Sequence, residues 1–163
     1  MEFIIAIANN FIGYDTIIII MAIVNFVIYI ITKHKLKTLE PLIHKTTDMS
    51  LGKMDEGRIV KSAIDELDAI KKARINVNKW YSVFANIIAI FPLLGLLGTV
   101  ISLIFTAGDG DLANMQQYFM MSLTSTFWGM IFAIAYKITD AFVSPEVERL
   151  NNDAERMVVK QDE

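Results

Sequence analysis

Three long stretches of this chain carry almost no charge, and nothing else in the sequence restricts it as much. From Phe3 to Thr32 the one charged residue is Asp15, and from Trp80 to Ala107 and again from Leu112 to Tyr136 there is none. A helix needs about 20 apolar residues to cross a bilayer, and each stretch is long enough. The spacing predicts an all-α membrane protein with three transmembrane helices, at about 12–32, 81–106 and 115–137. Composition agrees: 54% of the 163 residues are hydrophobic, and they are concentrated, where a soluble domain disperses them. The opening MEFIIAIANN has no basic leader of the secretory type, so no signal peptide is expected. Without cysteine there is no disulfide framework and no thiolate site.

Charge distribution orients the spans. Eleven of the fifteen Lys and Arg residues lie between Lys33 and Lys79 and four between Lys137 and Lys160; residues 1–32 and the loop AGDGDLAN (107–114) have none. Basic residues in short loops stay on the cytoplasmic side. The expected topology is therefore N-terminus out and C-terminus in. An outer N-terminus and first span (1–32) lead to a cytoplasmic helical segment (33–79). The second span (80–107), an outer loop (108–114), the third span (115–138) and a cytoplasmic C-terminal helix (139–163) follow. Tyr14 and Tyr118 fit the outer interface; Tyr29, Trp80, Tyr81 and Tyr136 fit the inner one.

The cytoplasmic parts read as amphipathic helices. Val60, Ala63, Ile64, Leu67, Ile70 and Val77 recur mostly every three or four residues, with no terminator before Trp80, so this helix is expected to run into the second span. TTDMSLGKMDEG (46–57) reads as a turn, with Gly52 and Gly57 as breakers. Ser144 before Pro145 resembles an N-cap and first-turn proline opening a C-terminal helix, whose face is Val147, Leu150, Ala154, Met157 and Val158. Both stripes are expected to pack against each other or against neighbouring copies.

The spans carry the most specific pattern. In FPLLGLLGTVISLIF (91–105), Pro92, Gly95, Thr99 and Ser102, continued by Thr106, share one stripe, with Gly98 off it. In the third span Ser122, Thr126, Gly129 and Ala133 do the same, with Thr124 and Ser125 adjacent. The first span has only Ala22 and Asn25 as a weak counterpart. Small residues let membrane helices approach closely, which is one reading. The other is that the stripes line a polar path or clasp a polar partner, because an unpaired hydroxyl in hydrocarbon costs several kcal/mol. Asp15, Lys137 and Asp140 are expected at span ends, where water or snorkelling reaches them. No mid-span carboxylate is evident, so an ion-titrating group would come from another chain.

PLLGLLGTV (92–100), an outer hairpin and SLTSTFWGMIFAIAYKITD (122–140) together resemble the MotA/TolQ/ExbB proton channel family over roughly residues 80–150. The three-span topology is similar to the TolQ and ExbB branch, with a shortened cytoplasmic segment. The resemblance implies five copies in a ring around a dimer of a single-span partner of the MotB/TolR/ExbD kind, whose transmembrane Asp carries H⁺ or Na⁺. It implies Thr99 and Thr126 as pore-facing hydroxyls, with Ser102, Ser122 and Ser125 beside the pathway. It implies Pro92, Gly95, Gly98, Gly129 and Ala133 as structural positions, and Lys137 and Asp140 become inner-boundary charges. The implied setting is the bacterial inner membrane, and the implied role is a motor subunit converting ion flux into motion of the partner.

Two other function classes remain open. One is a non-conducting membrane scaffold that anchors a partner; the other, weaker, is a holin-like pore-former. No enzyme is expected, since neither a metal-ligand spacing nor a phosphate-cradling glycine loop is present. No cofactor, metal or nucleic-acid partner is expected either. His34 and His44 lie among Lys33, Lys35, Lys37 and Lys45, a cluster suited to solvent or to anionic lipid headgroups.

Overall fold

The computed structural model describes the backbone of residues 15–51, 56–108 and 112–159, and within them the side chains of 15–43, 67–108 and 114–156. All described backbone is helical: α1 is Asp15–Leu51, α2 is Glu56–Gly108 and α3 is Leu112–Val159. Each is long and apolar enough to cross a membrane. The Ile- and Val-rich run of α1 has strand-like composition. In lipid, backbone groups must pair internally, and a helix does this within the segment.

A seam of buried positions runs along the described side chains of α1: Asp15, Ile18, Ala22, Asn25, Ile28, Thr32, Leu36, Leu39 and Ile43, every three or four residues. It passes through two compact units that share the three helices. The first unit is Met1–Val27 with Ala85–Thr139; the second is Ile28–Phe84 with Asp140–Glu163.

In the first unit, Ile18, Ala22 and Phe91 are the buried centre, with Met21, Ile87, Leu94, Trp128, Phe132, Ala133 and Tyr136 packed on it. The Phe91 ring stacks on Tyr136 at 5.5 Å, and Trp128 stacks on Phe132 at 5.7 Å. Such aromatic pairs add about 0.5–1.5 kcal/mol to plain burial. The Tyr136 hydroxyl donates to the Ala22 carbonyl at 2.6 Å. It therefore ties α3 to α1 rather than serving only as an interface anchor. Outward, Ile20, Ile23, Leu93, Leu96, Leu103, Ile104 and Ile134 are exposed, as a lipid-facing or partner-facing surface requires.

In the second unit, Leu36, Leu39 and Ile43 of α1, Ile70 and Val77 of α2, and Val143, Val147, Leu150 and Ala154 of α3 form one apolar core. Two expected stripes thus meet each other, and α1 supplies a third that the sequence reading did not mark. The side chains of Tyr14, Val60, Ala63, Ile64, Met157 and Val158 lie outside the described ones. Ion pairs Lys33–Glu146, Arg149–Glu40 and Arg74–Glu155, at 3.0–3.2 Å, rim this core.

Two expected boundaries differ. Residues 46–51 continue α1 instead of forming a turn, and Gly57 lies inside α2. Pro145 does not open a helix: it lies within α3. A mid-helix proline forfeits one backbone bond and crowds the preceding turn. Here the ring is exposed, and Val143 and Val147 beside it are core residues that hold the helix through it. Pro41 and Pro92 are likewise exposed within α1 and α2.

Candidate functional site

The site is the crossing of α2 and α3 in the first unit, midway along their uncharged runs. Glycines bring the two backbones together. A Cβ placed on Gly129 would meet the Phe91 carbonyl oxygen at 2.7 Å and the Gly95 Cα at 3.1 Å. One placed on Gly95 would meet the Thr126 Cα at 3.1 Å and the Ser125 carbonyl oxygen at 3.2 Å. At Gly129 only glycine permits this approach, the small-residue contact by which membrane helices pack most tightly.

The hydroxyls around the crossing are arranged in two ways. Most fold back on their own helix: Thr99 to the Leu96 carbonyl at 2.6 Å, Ser102 to Gly98 and Thr106 to Ser102 at 2.9 Å, Thr124 to Met121 at 3.0 Å. This back-bonding lets a Ser or Thr lie in an apolar helix without an unpaired donor. Two reach across helices. Thr126 shares its proton between the Ser122 carbonyl at 3.2 Å and the Gly95 carbonyl on α2 at 3.4 Å. Ser125 donates to Asp15 of α1 at 2.7 Å and to the Met121 carbonyl at 3.1 Å.

The two stripes are therefore brought together in part. Gly95, Thr126 and Gly129 meet directly, and Ala133 joins the adjoining aromatic cluster. Gly98, set apart in the sequence reading, is buried beside Gly95, whereas Pro92 is exposed and Thr99 half-exposed. Ser102, Thr106 and Ser122 line an open groove of about 390 Å³ with Leu103, Met115, Gln116, Tyr118 and Phe119. That groove, between the α2 C-terminus and the α3 N-terminus, is largely apolar. Lys137 is exposed. In the second unit, Asp140 is 6% exposed and accepts a hydrogen bond from the Tyr81 hydroxyl at 2.9 Å, so a protein donor meets the carboxylate expected to face water.

The residue whose surroundings the sequence reading missed most is Asp15. It opens the first apolar span, as expected, but it is 1% exposed and accepts a hydrogen bond from Ser125 instead of facing water. The available signal was its spacing: Asp15, Ile18, Ala22 and Asn25 follow the helical period that defines the buried seam. Asn25 is also buried, with neither side-chain polar atom hydrogen-bonded among the described residues. Among the described residues, no group of three or more His, Asp or Glu is placed to hold a metal ion.

Comparison with protein families matches residues 34–156, well over half of the chain, to one described as the MotA/TolQ/ExbB proton channel family. Comparison with curated proteins and with solved structures found no match. The matched stretch takes in the whole α2–α3 crossing and begins within α1, at His34.

Proposed function

The chain belongs to the MotA/TolQ/ExbB proton channel family, and on that premise we propose that it is the ring subunit of an ion-driven motor in the bacterial inner membrane. In this reading the N-terminus faces out and the basic helical segments lie in the cytoplasm. Five copies enclose a dimer of a single-span partner, whose membrane-embedded Asp binds and releases H⁺ or Na⁺. The chain itself catalyses no covalent chemistry. The observation that carries the reading is the position of Thr99 and Thr126. Both lie on the matched helices, Thr126 at the Gly95–Gly129 crossing and Thr99 one turn along α2 from Gly95.

Their chemistry suits the role. A threonine hydroxyl does not titrate near neutral pH, but it has one donor and two acceptor lone pairs. While Thr99 donates to the Leu96 carbonyl, it still accepts a proton from a neutral carboxylic acid. To meet the ionised form it must rotate and donate. The hydroxyl thus responds to the charge state of a carboxylate in low dielectric, where that charge is expensive. One elementary charge crossing 100 mV releases about 2.3 kcal/mol. Two partner carboxyls inside a five-membered ring cannot both match its symmetry, so alternate loading displaces the partner in steps.

The test is partner-dependent ion flux in membrane vesicles carrying Thr99→Val, Thr126→Val and the double variant. Loss of flux with an intact ring is expected; wild-type flux from the double variant refutes the role. A second reading, a non-conducting scaffold, is favoured by the fact that the hydroxyls of Thr99, Ser102, Thr106, Ser125 and Thr126 all have acceptors within the chain. It predicts no flux at all from the wild-type complex.

A further inference from the structure

Asp15 has no part in the mechanism above. Among the described residues of the first unit the ionisable side chains are Asp15, Tyr118, Tyr136 and Lys137, which makes Asp15 the one carboxylate there. It is 1% exposed. Its Oδ1 accepts the hydrogen bond of Ser125 Oγ at 2.7 Å, while Oδ2 is buried with no hydrogen-bond partner.

Its depth follows from its partner. Ser125 lies near the centre of the uncharged run Leu112–Tyr136, ~20 Å of helix from Leu112 and ~18 Å from Lys137 at the α-helical rise. The next residue, Thr126, bonds Gly95, near the centre of the uncharged run Trp80–Ala107. Asp15 is therefore level with the proposed pore threonine, well inside the uncharged runs of α2 and α3, although it opens the apolar run of its own helix. Its place in the first turn of α1 favours a negative charge through the helix dipole. That explains a carboxylate at a helix start. It does not explain one enclosed among apolar helices with an unpartnered oxygen, which costs several kcal/mol. Lys137, the only cationic side chain described in this unit, is too far along α3 to pair with it. Ionisable residues inside membranes are expensive and mark ion paths. The family match begins at residue 34 and assigns nothing to Asp15.

We infer that Asp15 is a cation-binding site of this chain. Its Oδ2 takes up and releases the monovalent cation of the driving gradient, a proton or a sodium ion, while Ser125 fixes the carboxylate through Oδ1. Uptake forms one O–H bond or one ion pair and neutralises the carboxylate; release reverses it, with no electron transferred. This rests on the ion-conducting reading, and it places an ion site on the ring as well as on the partner.

The test uses native membranes holding the full chain, treated with dicyclohexylcarbodiimide, which adds to carboxyls in apolar surroundings. Treatment runs across a pH series with sodium or choline chloride at equal ionic strength, and the adduct is located by peptide mass spectrometry. Labelling of Asp15 is expected. Suppression by sodium at fixed pH identifies a sodium site; decline with rising pH, indifferent to sodium, identifies a proton site. Asp15→Asn keeps the shape and the acceptor for Ser125. It is expected to lower partner-dependent flux at least about tenfold, equivalent to about 1.4 kcal/mol, with ring size unchanged. An Asp15 that stays unlabelled under every condition, or a variant with wild-type flux, overturns the inference. If the variant fails to assemble, labelling of the wild type decides alone, and labelling without a cation or pH response makes Asp15 structural. Cation-dependent labelling in a wild type that conducts nothing refutes the conduction reading and leaves the site standing.

Discussion

Gly129→Ala is the sharpest probe of the α2–α3 crossing. The added Cβ would lie 2.7 Å from the Phe91 carbonyl oxygen and 3.1 Å from both the Gly95 Cα and N. All three atoms are backbone of α2, so no side-chain rotation relieves the clash; one helix must move against the other. Inserting a methyl into a well-packed site costs typically about 1–3 kcal/mol, and rigid backbone on the far side puts this case toward the upper end. Alanine recovers about 1 kcal/mol through its better helix propensity. The net loss is then about 1–2 kcal/mol, a factor of roughly 5–30 in the folded-to-unfolded ratio. Gly95→Ala meets atoms at 3.1 and 3.2 Å, a gap that closes by a few tenths of an ångström, so its two terms nearly cancel. At Gly108 nothing lies within 4 Å, and Ala there is neutral to slightly stabilising. The assay is dodecyl-sulfate unfolding in mixed micelles, followed by tryptophan emission, to which Trp128, next to Gly129, contributes. The expected order of destabilisation is Gly129, Gly95, Gly108. A Gly129→Ala variant as stable as wild type, or one less damaging than Gly95→Ala, would refute the close-crossing geometry.

Three further outcomes test the packing by the same titration. Leu39→Ala removes a fully buried side chain from the second unit's core and is expected to cost about 2–5 kcal/mol; a loss under about 1 kcal/mol would mean α1 does not pack there. Tyr136→Phe keeps the stack on Phe91 but deletes the donor to Ala22, for an expected loss of about 0.6 kcal/mol, the average measured for hydrogen bonds between membrane helices, and no more than about 1.7 kcal/mol. Lys33→Ala and Arg149→Ala each break an exposed ion pair and should each shift stability by less than about 1 kcal/mol, with the wild type correspondingly insensitive to salt.

The spans were legible because lipid leaves so few options: long uncharged runs must be helices, and three were read. The C-terminal half of α1 was not, because Lys35, Lys37 and Pro41 interrupt the pattern around Leu36, Leu39 and Ile43. Those apolar residues nonetheless keep the three-and-four spacing of the membrane seam. Ser144–Pro145 misled for a different reason. A proline at a helix start and one inside a helix have the same local sequence, and what separates them is whether both flanks are packed, as Val143 and Val147 are. In the small-residue stripe of α2, Gly95 and Ser102 are buried, and only the edge differs. Gly98 is buried and Pro92 exposed, since a stripe stepped by threes and fours drifts around a helix and its edge is set by the partner.

The same glycine contact serves both readings of the stripe, so packing and conduction need not compete. Adjacent residues on a helix point about 100° apart. With Gly95 and Gly129 pressing the two backbones together, Ser125 and Thr126 point to different neighbours. Ser125 faces α1 and holds Asp15, while Thr126 faces α2 and bonds Gly95. A larger residue at either glycine would move both hydroxyls at once. It follows that Gly129→Ala should disturb cation-dependent labelling of Asp15 and flux through the Thr126 path together, whereas Thr126→Val should lower flux and leave the labelling as it is. Labelling lost in Thr126→Val but kept in Gly129→Ala would show that the crossing does not organise the two hydroxyls.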